Sequence, residues 1–364
     1  MKHNWTYRPF MECIENVKYT TKLQTKDFAP QGTYPVISQD ESYISGYWNN
    51  ADDVFHAKRP LVIFGDHTRV LKYIDFDFVL GADGVKILLP KEDILAKYLY
   101  YYLKWYNVPS LGYSRHFKLL RDIEFPIPSI EEQKSIVQEL DGINRMIDLQ
   151  EEQLREYDRL AQSLFYTTFG DPVSNPKGWE VKKLGEVAET TSGGTPAKAH
   201  NEYYEGGTIP WLRSGEVSQG LIYKTELFIT QAGLDNSSAK IIPVNSVAIA
   251  MYGATVGEVG IIKAPMSTNQ AVCSIFPNES VTPIYLLYFL RAMKPHYINI
   301  AAGGAQPNIS QAIIRNTKLT LPPLSLQQTF AAQIEAIEQQ KALIRRSLED
   351  TRTLLAARMQ YYFE

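Results

Sequence analysis

The side chains that could carry catalysis are few and lack the spacing of known active sites. Asp171, Glu180 and Lys182 have the residue types of a metal-dependent nuclease. An internal repeat described below, however, places Thr6 and Arg8 where the second copy has Glu180 and Lys182. We therefore interpret Glu180-x-Lys182 as part of an exposed strand.

Other catalytic signatures are also missing from the sequence. The stretch SGGTPAK (192–198) has glycines and a lysine without the spacing of a phosphate-binding loop. No Asn-Pro-Pro-Tyr-like methyltransferase motif occurs, and the six histidines are scattered. Cys13 and Cys273 cannot form a disulfide framework or a zinc site by themselves. We expect no catalytic residues, no metal site, reduced thiols and a cytoplasmic location.

Composition places the chain among ordinary soluble proteins. It has 364 residues, of which 45% are hydrophobic and 21% are charged, enough for two or three domains. Residues 1–20 lack the apolar run of a signal peptide, and polar residues interrupt the longest apolar stretches, so no membrane partner is expected. A lone DNA-binding domain is usually strongly basic, whereas this chain carries a net charge of −3.

The sequence contains an internal repeat of one unit. LLRDIEFPIPSIEEQ (119–133) matches IIRNTKLTLPPLSLQ (313–327) at an offset of 194 residues. Upstream matches have shorter offsets, as loops of unequal length require: YLYYYL with YLLYFL at 187, VIFGDHT with AMYGATV at 188, and Trp5 with Trp179 at 174. Arg121 and Arg315 are also repeat-related, which favours a shared structural role, such as a salt bridge at the base of each helix, over sequence-specific readout. The sequence therefore predicts two copies of a globular part followed by a long helix.

Each globular part is predicted to mix helices and strands. Short apolar runs such as PLVIFGD and NSVAIAMYG, bounded by Gly, Pro or Asp, indicate strands. EDILAKYLYYYLKWY and TPIYLLYFLRAM indicate helices. The tyrosines of the first helix could form a base-stacking platform, but their helical spacing favours a buried face.

The two long helices carry the periodicity of a coiled coil. In the first, apolar residues recur in alternating four- and three-residue steps with Gln150 as the polar exception. In the second, Lys341, Thr351 and Arg358 are expected to break the pattern. The residues predicted to pack along this helical rod are Ile136, Leu140, Ile143, Ile147, Leu154, Ile334, Ile337, Ile344 and Leu348. Because neither helix is expected to be stable alone, we predict that they pair antiparallel.

The predicted architecture is mixed α/β (α+β). Two similar domains with mixed β-sheets are joined and spaced by two long antiparallel coiled-coil helices, as a pseudo-twofold internal repeat. The predicted boundaries are 1–125, 126–169, 170–318 and 319–364, for domain, helix, domain and helix in turn. Two similar domains held at a fixed separation could recognise two half-sites on double-stranded DNA. Because the two domains differ in sequence, we expect the two half-sites to differ as well.

With these features, the sequence resembles the specificity subunits of type I restriction-modification enzymes. The resemblance rests on the two Pro-to-Gln helix entries, at Pro128 and at Pro322–Pro323, and spans essentially the whole chain. It also rests on GWEVKKLGEVAETTSGGTP, IPWLRSGEV, TNQAV, GGAQPNIS and FGDP, in that family's order. The first domain departs from the pattern, since it lacks the Ser-Gly-Gly-Thr-Pro loop.

The resemblance implies a non-catalytic subunit with several partners. These are double-stranded DNA, two methyltransferase (modification) subunits docked along the helical rod, and motor-nuclease (restriction) subunits. S-adenosylmethionine, ATP and Mg²⁺ are expected on the partner subunits, with no cofactor bound by this chain. Such partners would also supply part of the phosphate neutralisation that DNA binding needs, which accounts for the modest acidity.

Base contacts require hydrogen-bonding side chains on exposed loops. The first-domain candidates are His67, Arg69, Lys72, Arg115, His116 and Lys118. The second-domain candidates are Thr195, Lys198, Arg213, Ser214, Tyr252, Thr255, Gln306 and Asn308. The alternative for the glycines and asparagines of these loops is that they only form turns.

Two other classes of function stay open on sequence alone. One is an enzyme with an unfamiliar site, which the missing motifs disfavour. The other is a protein-bridging scaffold that does not read DNA, in which the helical rod joins two protein partners.

Overall fold

In the computed structural model the chain forms two compact units. Unit 1 comprises Met1–Glu152 and Arg345–Glu364, and unit 2 comprises Gln153–Ile344. The structure describes residues 5–81, 84–301 and 308–364. These residues contain eight α-helices. Three of them precede the second repeat: α1 (Phe10–Cys13), α2 (Ala96–Tyr106) and α3 (Ile130–Phe169). The others are α4 (Leu184–Val187), α5 (Gln231–Asp235), α6 (Pro283–Ala301), α7 (Gln311–Arg315) and α8 (Leu324–Phe363).

Among its described residues, unit 1 has ten short strands in one mixed sheet, one antiparallel sheet and one antiparallel strand pair. Strand β8 is parallel to β2 and β3 and antiparallel to β5, while β4 extends the sheet beyond β3. A second sheet has the order β7-β6-β9, and β1 pairs with β10 alone. The strands are β1 (Thr6–Pro9), β2 (Lys22–Leu23), β3 (Tyr34–Ile37), β4 (Gly46–Trp48), β5 (Val54–Phe55), β6 (Leu61–Gly65), β7 (Leu71–Ile74), β8 (Phe78–Gly81), β9 (Val85–Leu88) and β10 (Glu124–Ile127).

Unit 2 repeats this organisation with eleven strands among the described residues. Its sheets have the orders β12-β20-β17-β18-β14 and β15-β13-β19-β16, and β11 pairs with β21. The strands are β11 (Glu180–Lys183), β12 (Thr190–Ser192), β13 (Ile209–Leu212), β14 (Leu221–Ile222), β15 (Leu227–Ile229), β16 (Ile241–Ile242), β17 (Val247–Ala250), β18 (Val259–Ile262), β19 (Met266–Thr268), β20 (Val272–Ile275) and β21 (Lys318–Leu321). The mixed α/β prediction is therefore confirmed.

Strand register reproduces the offsets of the sequence repeat. Thr6 lies opposite Ile127 in the β1–β10 pair, and Glu180 lies opposite Leu321 in the β11–β21 pair. Glu180 follows Thr6 by 174 residues and Leu321 follows Ile127 by 194 residues, which are the offsets of the flanking sequence matches. Each two-stranded ladder closes its globular part immediately before a long helix begins.

The tyrosine-rich helix α2 packs inward. Tyr98, Tyr101 and Tyr102 are all buried, and α2 ends at Asn107, which adopts the left-handed conformation at φ 43°. Burial raises the pKa of each of these tyrosines, since an ionised phenolate would lose its hydration there. The base-stacking alternative for this helix is therefore wrong, and the helix belongs to the core.

A buried glutamine fastens each long helix to its own globular part. The Gln133 amide donates to the carbonyls of Asp93 and Pro128 at 2.9 and 3.1 Å, and its oxygen accepts from the Leu95 amide at 2.8 Å. The repeat-related Gln327 makes the same three kinds of bond, with Ser280, Pro322 and Thr282. The repeated sequence phrase therefore encodes a repeated joint.

Within each unit, a segment of α3 lies antiparallel to a segment of α8. In unit 1, Gln150 donates to Ser347 and Glu151 accepts from Arg352, while the earlier Glu139 pairs with the later Arg358. In unit 2, Lys341 pairs with Asp158 at 2.6 Å. Of the predicted packing residues, Ile147, Leu154 and Ile344 are half-buried and the others are buried.

The three polar residues that break the apolar pattern of the second helix lie inside its packed face. Lys341 and Thr351 are buried and Arg358 is half-buried, all in the apolar register. Lys341 pairs with Asp158 and Glu338, the Thr351 hydroxyl donates to the Ser347 carbonyl, and Arg358 pairs with Glu139. Polar residues hold these positions because each of them has a partner there.

The C-terminal end of each long helix completes a core. In unit 1, Phe363 of α8 packs on Tyr98 and Tyr102 of α2. In unit 2, Phe169 of α3 packs on Tyr285 and Phe330. Phe169 and Phe363 are themselves 194 residues apart. Each unit is therefore assembled from its own globular part and from segments of both long helices.

Candidate nucleic-acid interface

In unit 1, two loops that carry predicted contact residues are tied together. The turn after β6 (66–69) and the segment after α2 (107–116) meet at Asp66, whose carbonyl accepts from the His116 amide at 2.8 Å and whose carboxylate accepts from the Phe117 amide at 2.8 Å. His116 Nε2 accepts from the Leu111 amide at 2.9 Å. The second loop is thus held at both ends against the first.

Four predicted contact residues of this loop pair keep an accessible surface. Arg115 and Lys118 are exposed, and His67 and Arg69 are half-buried. The Arg69 guanidinium donates to the Val108 carbonyl at 2.9 Å, and its backbone adopts φ 63°. Arg69 therefore supports the loop with its side chain, while Arg115 and Lys118 present their charge to solvent.

Two of the predicted DNA-contact residues, Lys72 and His116, are buried and hydrogen-bonded within unit 1. Lys72 is 3% exposed, and its ammonium donates to the carbonyls of Ser38 and Ser42 at 2.8 and 2.6 Å. Burial lowers the pKa of Lys72, against the opposing effect of Asp40. His116 is 1% exposed and holds the loop internally. A duplex could reach either side chain only by breaking these bonds, so both assignments are withdrawn.

In unit 2, the glycines of the Ser-Gly-Gly-Thr-Pro loop allow close backbone approach. A Cβ on Gly193 would lie 2.1 Å from the Thr268 carbonyl oxygen, and the Gly194 amide donates to that carbonyl at 2.9 Å. The loop is therefore packed against the TNQAV segment, where the Thr195 hydroxyl donates to Gln270. Lys198 follows on the exposed part of the same loop.

Arg213 lies at the end of β13 with its charge already engaged. Its guanidinium donates to Glu226 at 2.6 Å, and its Nε lies 3.6 Å from the buried carboxylate of Glu216. Glu216 also accepts from the backbone amides of Arg213 and Glu226 at 3.1 and 2.7 Å. Ser214 follows, half-buried, at the start of a short 3₁₀ turn.

The remaining second-domain candidates surround the turn after β17. Tyr252 is exposed and forms an isolated backbone bridge with Asn308, which is also exposed. The half-buried Thr255 donates its hydroxyl to the Tyr252 carbonyl at 3.1 Å. Gln306 lies outside the described residues. The turn and the segment after α6 thus meet as their counterparts do in unit 1.

Sequence reasoning did not single out three residues of these surfaces. Glu216 and Glu226 hold Arg213, and Tyr113 is fully exposed beside His67. The Glu216 carboxylate accepts from the Arg213 amide as the acidic residue of a capping box does, but arginine has no acceptor for the other half, so the sequence lacks the usual signature. Nothing in the sequence pairs Arg213 with Glu226 or Tyr113 with His67, because both contacts depend on the fold.

The nuclease-like residues Asp171, Glu180 and Lys182 have partners close to them in the sequence. The described residues contain no group of three or more His, Cys, Asp or Glu side chains that could hold a metal ion. Lys182 pairs with its neighbour Glu180 at 3.0 Å, and Asp171 accepts from the amides of Val173 and Ser174. The nuclease-like residues thus have ordinary structural partners.

Three further predictions concern the two thiols, the repeat-related arginines and membrane-spanning helices. Both thiols are buried, which raises the pKa of Cys13 to about 11 and that of Cys273 to about 12. Neither Arg121 nor Arg315 forms an ion pair in the described part of the chain, so the predicted salt bridge at the helix base is wrong. No helix of residues 5–81, 84–301 or 308–364 is long and apolar enough to cross a membrane.

The chain is similar to several characterised specificity subunits. It is 28% identical to the type I restriction enzyme EcoR124I/EcoR124II specificity subunit of Escherichia coli, over 95% of this chain and 89% of that one. It is 25% identical to the MjaIX specificity subunit of Methanocaldococcus jannaschii, over 70% of this chain and 65% of that one.

Two solved structures share the fold. The S subunit of a type I restriction-modification system from M. genitalium matches with a TM-score of 0.60 at 15% identity, over 100% of this chain and 97% of that one. A chain from a study of complex assembly and conformational transition of the type I system matches with a TM-score of 0.60 at 17% identity, over 99% and 97%.

A family model matches most of the sequence in two segments. The model for the type I restriction modification DNA specificity domain covers residues 4–157 and 176–350. Its two matches coincide with the two repeats seen in the sequence and in the strand register. The chain therefore belongs to the type I restriction modification DNA specificity domain family.

Proposed function

We propose that this chain is the DNA sequence-recognition subunit of a type I restriction-modification enzyme, in which each unit reads one half of an asymmetric two-part target. The observation that carries the proposal is the recurrence of one loop junction in both units with different side chains. His67 and Arg115 occupy it in unit 1, and Tyr252 and Asn308 occupy it in unit 2. Related scaffolds that present different hydrogen-bonding groups read different base sequences.

The outer faces of the long helices support docking of methyltransferase subunits. Several large apolar side chains of α3 and α8 remain exposed, between 46% and 63%: Met146, Leu149, Leu160, Leu343, Leu354 and Tyr361. Contiguous apolar patches mark surfaces that a partner covers, and Met146 and Leu149 lie one helical turn apart on α3. The stoichiometry that we propose is two methyltransferase subunits per chain, one for each repeat, with restriction subunits added to that complex.

We assign the chemistry of methylation and cleavage to those partners. S-adenosylmethionine, ATP and Mg²⁺ would bind there, and this chain would supply only recognition and spacing. Such an enzyme would act in the cytoplasm, where the DNA lies. The proposal also accounts for the net charge of −3, because partner subunits would neutralise part of the phosphate backbone.

A methyl-transfer assay on the reconstituted complex tests this role. The chain, its methyltransferase partner and labelled S-adenosylmethionine are combined with genomic DNA of the source organism that lacks the modification. We expect transfer only when both proteins are present. Transfer by the chain alone would indicate an enzyme, and a stable complex whose transfer does not depend on the chain would indicate a protein-bridging scaffold.

A further inference from the structure

The most exposed aromatic side chain of unit 1 lies at the centre of its loop junction. Tyr113 is 102% exposed, at the tip of the segment between α2 and β10. Its ring stacks on that of His67, with 5.9 Å between centroids and 24° between planes. The ring of Tyr113 therefore lies beside the imidazole of His67 and is presented to solvent on both faces.

This tip is held by a fixed base. His116 closes the loop on the Leu111 amide, and the carbonyl and carboxylate of Asp66 accept from the amides of His116 and Phe117. Gly112, directly before the tyrosine, adopts φ 66° with no atom within 4 Å of where a Cβ would lie. Hydrogen bonds therefore fix the base of the loop, while its tip extends from the domain without packing against it.

The charges around the ring suit a nucleic acid. Arg115 and Lys118 are exposed on the same segment, and neither forms an ion pair within the described part of the chain. The Nδ1 atom of His67 is buried with no hydrogen-bond partner there. An aromatic face next to cations is the combination that proteins use to stack on bases while they hold the phosphate backbone.

Unit 2 places an exposed tyrosine at the same junction. Tyr252 is 44% exposed, in the turn that matches the turn of His67 in the sequence repeat. The Ile309 amide donates to the Met251 carbonyl at 2.9 Å, as the His116 amide donates to the Asp66 carbonyl at 2.8 Å. The two tyrosines come from different loops of the repeat, yet each lies where the same two segments meet.

We propose that Tyr113 and Tyr252 are base-stacking residues, each of which inserts beside a base step of the half-site read by its own unit. This inference rests on the proposed function and adds a class of contact to it. An inserted side chain partly unstacks the duplex, and the contacts that this distortion permits offset its cost. Base stacking tolerates many sequences, so these tyrosines would strengthen binding more than they select bases.

The test uses the complex of the full chain with its methyltransferase partner, bound to a duplex that contains the methylated motif. 2-Aminopurine, whose fluorescence rises when it is unstacked, replaces in turn each purine of the two half-sites except the methylated base, which the methyltransferase itself takes out of the stack. We expect at least one responsive position in each half-site. The Tyr113→Ala variant should abolish the response in one half-site only and weaken binding about 5- to 150-fold. Tyr252→Ala should do the same in the other half-site.

Matched variants separate stacking from loss of structure. Tyr113→Phe keeps the ring and should keep the response, whereas Tyr7→Ala removes an exposed tyrosine of β1 and should leave binding within about 2-fold. Normal binding and fluorescence in Tyr113→Ala, or loss of both half-site responses together, would overturn the inference. A wild-type complex that does not prefer its motif would instead refute the proposed function.

Discussion

At the scale of single residues, the partners of a polar side chain decide whether it can reach a base. Arg213 and Lys72 both suit DNA contacts by type. Lys72 is buried and donates to two carbonyls, whereas Arg213 is held by Glu226, which is itself largely exposed. An exposed ion pair is worth only about 0–1 kcal/mol, so DNA can displace Glu226 but cannot easily extract Lys72.

Replacing Glu226 should therefore free the end of the Arg213 guanidinium, while the Glu216 carboxylate stays near its Nε atom. We expect Glu226→Gln to raise the affinity of the complex for its duplex by up to about 5-fold, because Arg213 no longer has to exchange one carboxylate for a guanine. Equilibrium binding at fixed salt measures the change. Glu205→Gln, which removes an exposed carboxylate that makes no ion pair with Arg213, serves as the control. An equal gain in both variants would mean that net charge alone is responsible.

A second residue-scale prediction concerns acid stability. Hydrogen bonds from Arg358 and Tyr362 hold the pKa of Glu139 below its ordinary value of 4.5. A lowered pKa in the folded chain contributes stability that is complete above the ordinary pKa and is lost as the pH falls through the folded pKa. We expect Glu139→Gln to be less stable than wild type at pH 7 and to lose less stability than wild type below about pH 4.5.

Urea unfolding at several pH values measures this difference. Glu335→Gln, an exposed change on α8, should follow the wild-type pH dependence throughout. A Glu139→Gln variant whose stability runs parallel to wild type from pH 7 to acid would show that the pair with Arg358 stabilises nothing.

At the scale of elements, the joint between each globular part and its helix controls the direction in which the helix leaves. Gln133 and Gln327 are fully buried, and each satisfies three backbone groups from two segments that are distant in sequence. A buried amide that binds three partners is costly to remove, because the partners then have no access to water.

We expect Gln133→Ala to lower the free energy of unfolding of the full chain by about 2–4 kcal/mol. Gln327→Ala should cost a similar amount in the second repeat. Gln138→Ala, on the exposed face of α3, should change stability by less than about 0.5 kcal/mol. Denaturant unfolding of the three variants checks the comparison, and equal stability of Gln133→Ala and Gln138→Ala would contradict the role of the joint.

The sequence predicts elements of this kind well because they depend on local patterns. The repeat offsets anticipate the strand register, and the heptad spacing anticipates which residues of α3 and α8 are buried. The failures share a cause. The residue types of Lys72 and His116 suit DNA contacts, but their partners Ser38 and Asp66 are distant along the chain. A polar residue in a core is compatible with the fold once a partner is present, and one sequence cannot name that partner.

At the scale of the whole molecule, one chain carries two readers that differ. Both units share the terminal strand pair, the glutamine joint and the phenylalanine that completes the core. They differ in the loops, since only unit 2 has the Ser-Gly-Gly-Thr-Pro segment. We infer that the shared parts fix how each reader is held and that the loops fix what it reads.

The central claim is that each unit reads one half of an asymmetric target. The most direct test maps methylated bases across the DNA of cells that express this chain with its methyltransferase partner, and repeats the map after residues 179–318 are replaced by those of another family member. The account predicts a two-part motif with a fixed spacer, of which the replacement changes one half and leaves the other. A replacement that alters both halves, or methylation that does not depend on this chain, would contradict it.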